Sequence, residues 1–206
     1  MRFLILFLAW MGVAAAQAPR PFSHRLHLLL KLECSTCHGA AATSTRLEDN
    51  LLPAKEVCLR CHREAAIGSP PATRLAQFNH QLHLKLGNIA PVLAAAIDAK
   101  TYLSPPAPGL RQSLNTRNAC EACHRGMEES DRVGPANMPQ MADCLVCHNK
   151  IDNPFSCEFC HAKNANLKPA NHSADFLDTH TAGKLKLDKT TCAVCHGRKF
   201  TCLGCH

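Results

Sequence analysis

Cysteine and histidine are the residues of this chain whose types and spacing could do chemistry. The 206 residues include 14 cysteines and 13 histidines. Every cysteine belongs to a Cys-x-x-Cys-His pentapeptide, of which there are seven. We number these motifs as sites 1 to 7 in chain order: Cys34, Cys37 and His38; Cys58, Cys61 and His62; Cys120, Cys123 and His124; Cys144, Cys147 and His148; Cys157, Cys160 and His161; Cys192, Cys195 and His196; and Cys202, Cys205 and His206.

Cys-x-x-Cys-His is the attachment signature of c-type haem. Two thiols three positions apart on one helical turn can each form a thioether with a haem vinyl group, and the next residue's imidazole then reaches the iron as the proximal ligand. Zinc knuckles, redox dithiols and disulfide scaffolds also use Cys-x-x-Cys, but none of them requires a histidine directly after the second cysteine. Seven motifs without exception therefore predict seven covalently bound haem c groups.

Six histidines lie outside the motifs and are candidates for the opposite, distal side of the irons. Four of them form two Phe-x-His-x-x-His segments that begin at Phe22 and Phe78, which is an internal repeat. Histidines at i and i+3 project from one side of a helical turn and can approach two neighbouring haems. The alternative is a solvated helix face that happens to bear two histidines. The predicted distal ligands are His24, His27, His80, His83, His172 and His180.

Six distal histidines leave one of seven haems without a histidine on its distal side. The His161 haem is the first candidate for this haem, and the His148 haem is the second. Met138 and Met141, or Met127, could supply a thioether ligand instead, although loop or packing roles explain these methionines equally well. A vacant sixth position is the other choice. A methionine ligand would raise the reduction potential, whereas an open iron could bind a small molecule.

Composition and charge agree with a haem-filled interior. Aromatic residues make up only 5% of the chain, too few for an ordinary core of this size. The formal net charge of +7 could suggest nucleic-acid binding, but the basic residues are scattered along the sequence. Two propionates on each haem would more than offset this charge, so the lysines and arginines are better explained as propionate partners. No nucleic-acid partner is expected.

The first residues have the pattern of an export signal. Arg2 is followed by an apolar run over residues 3–13 and by small residues at Ala14, Ala15 and Ala16. A signal peptide over residues 1–16 is predicted, with cleavage after residue 18 as the alternative. The apolar run is shorter than the roughly 20 residues that a membrane-spanning helix needs, and no later segment resembles one. We therefore expect an exported protein, periplasmic or extracellular, without an integral membrane segment after cleavage.

The elements that must position these residues are short. Each motif is predicted to lie on one helical turn, and residues 90–102 are predicted to form a longer helix with Pro91 in its first turn. The predicted fold class is mostly irregular with short α-helices, little or no β-structure, and a core organised by haem. The predicted organisation is a two-haem module over residues 19–70, a three-haem module over residues 71–165 with a helical insertion at 86–118, and a two-haem module over residues 166–206.

Phe-x-His-x-x-His followed closely by Cys-x-x-Cys-His resembles the class III cytochromes c, the c3 and c7 types, here extended to seven haems. In that family the first histidine of the pair ligates the haem of the motif that follows, and the second ligates the next haem. The resemblance implies that His24 faces His38 and that His27 faces His62. By the repeat, it implies that His80 faces His124 and that His83 faces His148.

Closely spaced haems with both axial positions filled suit electron transfer, because saturated iron offers no position for a substrate. We therefore expect a heptahaem electron carrier or conduit, not an enzyme, between redox protein partners such as a quinol-oxidising complex and a terminal reductase. The alternative is a multihaem reductase of a small inorganic substrate, of the nitrite or hydroxylamine type, acting at the haem that lacks a sixth ligand. All seven motifs are regular, which favours the electron-transfer hypothesis.

Overall fold

Short helices joined by irregular segments make up the protein, as predicted. The computed structural model describes residues 22–69, 73–148, 157–182 and 188–197. Within these ranges the only extended pairing is a single antiparallel bridge between Leu75 and His161. The α-helices of the described residues are α1 His24–Leu28, α2 Cys34–His38, α3 Lys55–Leu59, α4 His80–Lys85, α5 Ala90–Asp98, α6 Leu110–Ser113, α7 Met141–His148, α8 Phe176–Thr181 and α9 Lys189–His196. Three 3₁₀ turns lie at Gly39–Ala42, Pro135–Asn137 and Cys157–Phe159.

The two histidine pairs occupy equivalent helices, α1 and α4, which begin in the same way. Ser23 Oγ accepts a hydrogen bond from the Leu26 amide at 3.2 Å. Asn79 Oδ1 accepts the corresponding bond from the Leu82 amide at 2.9 Å. Each side chain satisfies an amide that has no partner within its helix. The sequence repeat is therefore also a structural repeat.

We expect Asn79→Ala to lower the free energy of unfolding by about 1 kcal/mol, because it removes the cap of α4 and leaves the Leu82 amide without its acceptor. Asn79→Ser is the matched control and should retain most of the stability. Chemical denaturation of both variants, followed by far-UV circular dichroism, measures the difference. Equal midpoints for the two variants would contradict the capping role.

Contacts between distant segments hold α1 and α4 in place. The Arg25 guanidinium donates to both carboxylate oxygens of Asp131 at 2.9 and 3.1 Å, and the Ser23 hydroxyl donates to the same carboxylate at 2.5 Å. In the second repeat, the amide of Gln81 donates to the Ser44 carbonyl at 2.9 Å. Each histidine helix is therefore fixed by a segment that is remote in sequence.

The six motifs within the described residues adopt the single turn that the sequence predicts, although not always as part of a regular helix. Sites 1, 4 and 6 lie on α2, α7 and α9. At sites 2, 3 and 5 the histidine amide donates to the carbonyl of the first cysteine, at 2.9, 2.8 and 2.8 Å respectively. This i to i−4 bond is the bond that closes an α-helical turn. One turn is therefore enough to bring both thiols and the imidazole to one side.

The predicted helix over residues 90–102 begins where expected but ends at Asp98. Lys100 adopts a left-handed conformation with φ 55°, and its amide donates to the Ile97 carbonyl at 2.9 Å. The Thr101 amide donates back to Ala96 at 2.8 Å. These two bonds form a Schellman termination, which satisfies carbonyls that the last helical turn leaves without partners. The predicted end of the helix was therefore wrong by four residues.

The apolar core is small, and many large aliphatic side chains lie outside it. The insertion helix α5 packs on α7, and Leu93 is the largest side chain that is fully buried in the described residues. Leu29, Leu30 and Leu86 are 69–71% exposed, beside the two histidine helices. No helix of the described residues is long and apolar enough to cross a membrane. The buried cluster consists of Ala90, Leu93, Ala94, Tyr102, Leu110, Leu114, Ala122 and Ala142.

The predicted modules contact one another in the part of the chain that the structure describes. Arg25 bonds to Asp131 across the first predicted join, and α7 contacts α9 across the second. Which segments fold as independent units stays a prediction.

Candidate functional site

Four non-motif histidines each face the histidine of a motif. The ring centroids of His24 and His38 lie 6.2 Å apart with the ring planes 13° from parallel. The other three pairs are His27 with His62 at 6.0 Å, His83 with His148 at 6.2 Å, and His172 with His196 at 6.2 Å. The pairs at sites 1, 2 and 4 are those that the family resemblance implied.

The spacing of these rings is the spacing that a shared metal ion requires. Two imidazoles that bind one ion from opposite sides, each through a metal–nitrogen bond of about 2 Å, have centroids about 6 Å apart. Rings in direct contact are closer, since Phe22 stacks on His27 at 4.4 Å. Haem iron therefore fits between the paired rings, and the exposed leucines beside α1 and α4 offer apolar surface to a porphyrin. Ligation itself stays a prediction.

His80 lies near His124, the motif histidine of site 3. Burial lowers the pKa of His80, and the nearby His124 and His83 lower it further. The equivalent His24 behaves in the same way, because burial, His38 and His27 lower its pKa. Both pKa shifts favour the neutral imidazole, which is the form that binds a metal. The other pairing that the repeat implied, His80 with His124, therefore agrees with the positions of these two residues.

Backbone carbonyls orient several of the motif histidines. His38 Nδ1 lies 2.8 Å from the Leu51 carbonyl, His161 Nδ1 lies 2.9 Å from the Arg74 carbonyl, and His124 Nδ1 lies 3.3 Å from the Asn137 carbonyl. A carbonyl only accepts hydrogen bonds, so Nδ1 carries the proton and Nε2 is left for a metal. Leu51, Arg74 and Asn137 supply backbone atoms alone, and no residue-type pattern in the sequence identifies them.

The distal histidines of the repeat are oriented by local contacts. His27 Nδ1 donates to the Ser23 carbonyl and His83 Nδ1 to the Asn79 carbonyl, each at 2.8 Å. Phe78 stacks on His83 at 4.5 Å, as Phe22 does on His27. The phenylalanine of Phe-x-His-x-x-His therefore fixes the ring plane of the second histidine, a role that the sequence pattern alone did not reveal.

The attachment cysteines place sites 2, 1 and 3 next to one another. Burial raises the pKa of Cys37, and the nearby Cys58 thiol raises it further, which joins site 1 to site 2. Burial and the nearby Cys34 thiol raise the pKa of Cys120, which joins site 1 to site 3. Asn118 Nδ2 also lies 3.5 Å from Cys34 Sγ. Site 1 thus lies between sites 2 and 3.

The same kind of neighbour relation continues through sites 4, 5 and 6. Burial raises the pKa of Cys144 to about 11, with the Cys123 and Cys160 thiols among the nearby charges that add to the shift. Burial and the Cys157 thiol raise the pKa of Cys195. Sites 2, 1, 3 and 4 thus neighbour one another in that order, and sites 5 and 6 lie beside each other and beside site 4, since α7 also contacts α9.

A buried ion pair joins site 3 to site 4. Arg125, which follows His124, donates to Asp143 at 2.6 Å, and Asp143 directly precedes Cys144. The Tyr102 hydroxyl donates to the same carboxylate at 2.9 Å, and the Gln140 amide does so at 2.7 Å. Burial and the adjacent Asp143 carboxylate raise the pKa of Tyr102 far above its ordinary value. This network sets the spacing between two adjacent attachment motifs.

Site 5 differs from sites 1, 2, 4 and 6, each of which has a histidine ring in contact with its motif histidine. His161 is held on one side by the Arg74 carbonyl, and Cys160 accepts a backbone hydrogen bond from Ala76 at 2.7 Å. In the described part of the chain no histidine ring faces His161. His148, the second candidate for lacking a distal histidine, has His83 opposite it.

Some predicted residues fall beyond what the structure describes. The predicted signal peptide and site 7, with Cys202, Cys205 and His206, lie outside the described ranges. His180 stacks on Phe176 with centroids 5.5 Å apart. Among the described residues no three His, Cys, Asp or Glu side chains group together as they do in a protein-only metal site.

Comparison with known proteins gives one family. Residues 27–206, which include all seven motifs, match the family described as outer membrane cytochrome MtrC/MtrF-like, domains II/IV. No curated protein and no solved structure matched the chain. The prediction of a multihaem c-type cytochrome is confirmed, and this family consists of electron-transfer proteins.

The class III resemblance, in contrast, is not supported by the comparison. A histidine pair at i and i+3 near an attachment motif meets a local requirement of ligand geometry, which different multihaem families share, so it does not distinguish between them. The matched family covers far more of the sequence than that short motif does. The chain belongs to the MtrC/MtrF-like outer membrane cytochrome family.

Proposed function

We propose that this chain is an exported heptahaem conduit that carries electrons along a row of adjacent sites, in the periplasm or outside the cell. The observation that supports this proposal best is the set of opposed histidine rings at 6.0–6.2 Å, which leave room for one iron each. Filled axial positions favour electron transfer over catalysis, because they leave a substrate no position on the metal.

The chain's own residues hold and order the redox groups. Bound haem supplies the one-electron chemistry. The motif cysteines tether it, the motif histidines and the opposed histidines take its two axial positions, and carbonyls such as that of Leu51 fix the ring orientation. Neighbouring cysteines such as Cys37 and Cys58 bring successive sites close together. A continuous path from site 2 to site 6 follows from these contacts.

His180 completes the distal set in this proposal. The other five non-motif histidines lie opposite or beside the motif histidines of sites 1, 2, 3, 4 and 6. Sites 5 and 7 are the two that these five do not serve, and in the described part of the chain no ring contact joins His180 to His161 of site 5. We therefore assign His180 to His206.

The redox partners in this proposal are a membrane-bound quinol-oxidising complex as donor and a terminal reductase or an extracellular acceptor as recipient. The family supports redox partners in general and an exported protein. Exposed charged residues, such as Lys85 on α4, offer docking contacts at the surface.

The haem count is the direct test of the proposal. The chain exported from a host that matures c-type cytochromes is expected to gain the mass of seven haems, and its pyridine haemochrome should give the same count. A colourless product, or a mass without haem, would end the proposal. Stepwise oxidation of the reduced protein should then release one electron for each haem.

A distal-ligand variant tests the pairing. His83→Ala removes the ring opposite His148. We therefore expect one haem that is low spin in the unmodified protein to become high spin in the electron paramagnetic resonance spectrum. The haem count by mass should not change, because the site 4 thioethers are untouched. Lys85→Ala, an exposed change on the same helix, is the control and should leave the spectrum as it is. An unchanged spectrum for His83→Ala would refute this pairing.

A further inference from the structure

The histidine count and the ring contacts single out site 5. Seven motif histidines require seven partners for complete bis-histidine ligation, and only six other histidines exist. The rings opposite or beside the motif histidines of sites 1, 2, 3, 4 and 6 account for five of the six. His180 is therefore the single histidine left for two sites, 5 and 7.

The structure does not bring His180 to His161. The His180 ring stacks on Phe176 with centroids 5.5 Å apart and ring planes 10° from parallel. In the described part of the chain no ring contact joins His180 to His161. The proximal half of site 5 is nevertheless complete. The Arg74 carbonyl holds His161 Nδ1 at 2.9 Å, and the Leu75–His161 bridge fixes the backbone.

Met141, one of the candidate thioether ligands, does not lie toward site 5. Met141 begins α7 and lies on the helix face of Cys144 and His148, three and seven positions later. That face belongs to site 4, where His83 already lies opposite His148. Met141 is therefore placed to pack at the edge of site 4.

Residues of site 5 are exposed to solvent, and the site lies near sites 4 and 6. Glu158 and Lys163 beside the motif are exposed, and Phe159 is 52% exposed. The thiols of Cys160 and Cys157 lie near Cys144 of site 4 and Cys195 of site 6. Site 5 therefore lies at the surface and has neighbouring sites that can exchange electrons with it.

We infer that site 5 holds a haem whose iron has no histidine sixth ligand and binds small neutral ligands such as carbon monoxide and nitric oxide. The inference rests on the proposed function, because it requires haem at every site. It adds a ligand-binding position inside what is otherwise a row of saturated sites.

Carbon monoxide binding to the haem-loaded, full-length exported protein tests this inference. After reduction under anaerobic conditions, we expect carbon monoxide to shift about one seventh of the Soret absorbance, since one haem of seven is open. The oxidised protein should show one high-spin haem. No shift in a protein that carries seven haems by mass would overturn the inference and leave the proposed conduit intact. A thioether-to-iron charge-transfer band would also overturn it, because it would show methionine at the sixth position.

Site-deleted variants assign the open iron. Replacing Cys157 and Cys160 with alanine should reduce the haem count by one and abolish the carbon monoxide shift. The matched control replaces Cys58 and Cys61 at site 2, where His27 faces His62. The control should also lose one haem but keep the full carbon monoxide shift. A shift that survives deletion of site 5 would refute the assignment, whereas a wild-type mass short of seven haems would refute the proposed function as well.

Discussion

Asp143→Ala is expected to destabilise the haem-loaded protein by about 3–5 kcal/mol. The substitution leaves the buried Arg125 guanidinium without its carboxylate, and an uncompensated buried charge has a penalty of this size. The Tyr102 hydroxyl and the Gln140 amide lose their acceptor in the same step. Chemical denaturation followed by far-UV circular dichroism measures the change.

A matched exposed pair provides the control for this prediction. Arg111 and Asp98 lie 2.8 Å apart, but their side chains are 39% and 56% exposed. Asp98→Ala should therefore lower the free energy of unfolding much less than Asp143→Ala does, because solvent screens the exposed pair. Equal effects of the two substitutions would show that burial of the Arg125–Asp143 pair is not what matters.

A triple variant separates burial of charge from loss of packing. Changing Arg125 to Met, Asp143 to Leu and Tyr102 to Phe removes both charges and the hydroxyl together, so no polar group of the three is left without its partner. Most of the stability should return, because apolar replacement of a buried ion pair is often neutral or stabilising. The spacing of sites 3 and 4 could still change, and the optical spectra of the two haems would report it.

The haem-free chain is expected to be largely unfolded, which is the second large effect. The buried cluster consists mainly of alanines and leucines around α5, and Leu93 is the largest fully buried side chain of the described residues. Beside the histidine helices, Leu29 and Leu30 are 70% and 71% exposed. A chain with so little apolar burial must gain its stability from the bound group, as small metal-dependent domains do.

Expression without the haem-attachment machinery, followed by a urea titration of the circular dichroism signal, tests this expectation. The haem-free chain should show a weak helical signal and no cooperative transition, whereas the haem-loaded protein in the same buffer should unfold cooperatively. A sharp transition of comparable amplitude in the haem-free chain would contradict it. Such a result would mean that protein side chains alone form the core.

The family resemblance predicted which histidines face each other at several sites, and the spacing of residues within one motif could not have predicted these pairings. His83 and His148 are far apart in sequence, and only the repeat linked to a family pattern suggested that they face each other. The pairing of His172 with His196 had no such pattern to identify it. The same local motif led to the wrong family, because ligand spacing on one helical turn is common to several families.

In the helical insertion, the sequence pattern predicted the start of α5 correctly but not its end. Pro91 correctly marked the first turn of α5, because proline needs no amide partner there. The end of the helix is set by the left-handed backbone of Lys100 and by the bonds that the Lys100 and Thr101 amides make back to Ile97 and Ala96. No periodic pattern of apolar residues marks this termination.

The sequence by itself determined the kind of cofactor, the seven attachment motifs and a count of six other histidines against seven motif histidines. These follow from residues within a few positions of one another, since a thioether pair and its histidine need only one helical turn. Only the tertiary structure decided which rings face each other, how the sites follow in space, and that His161 has no histidine ring opposite it in the described part of the chain. Those features depend on long-range contacts such as Arg25 with Asp131 and Arg125 with Asp143, which no local pattern encodes.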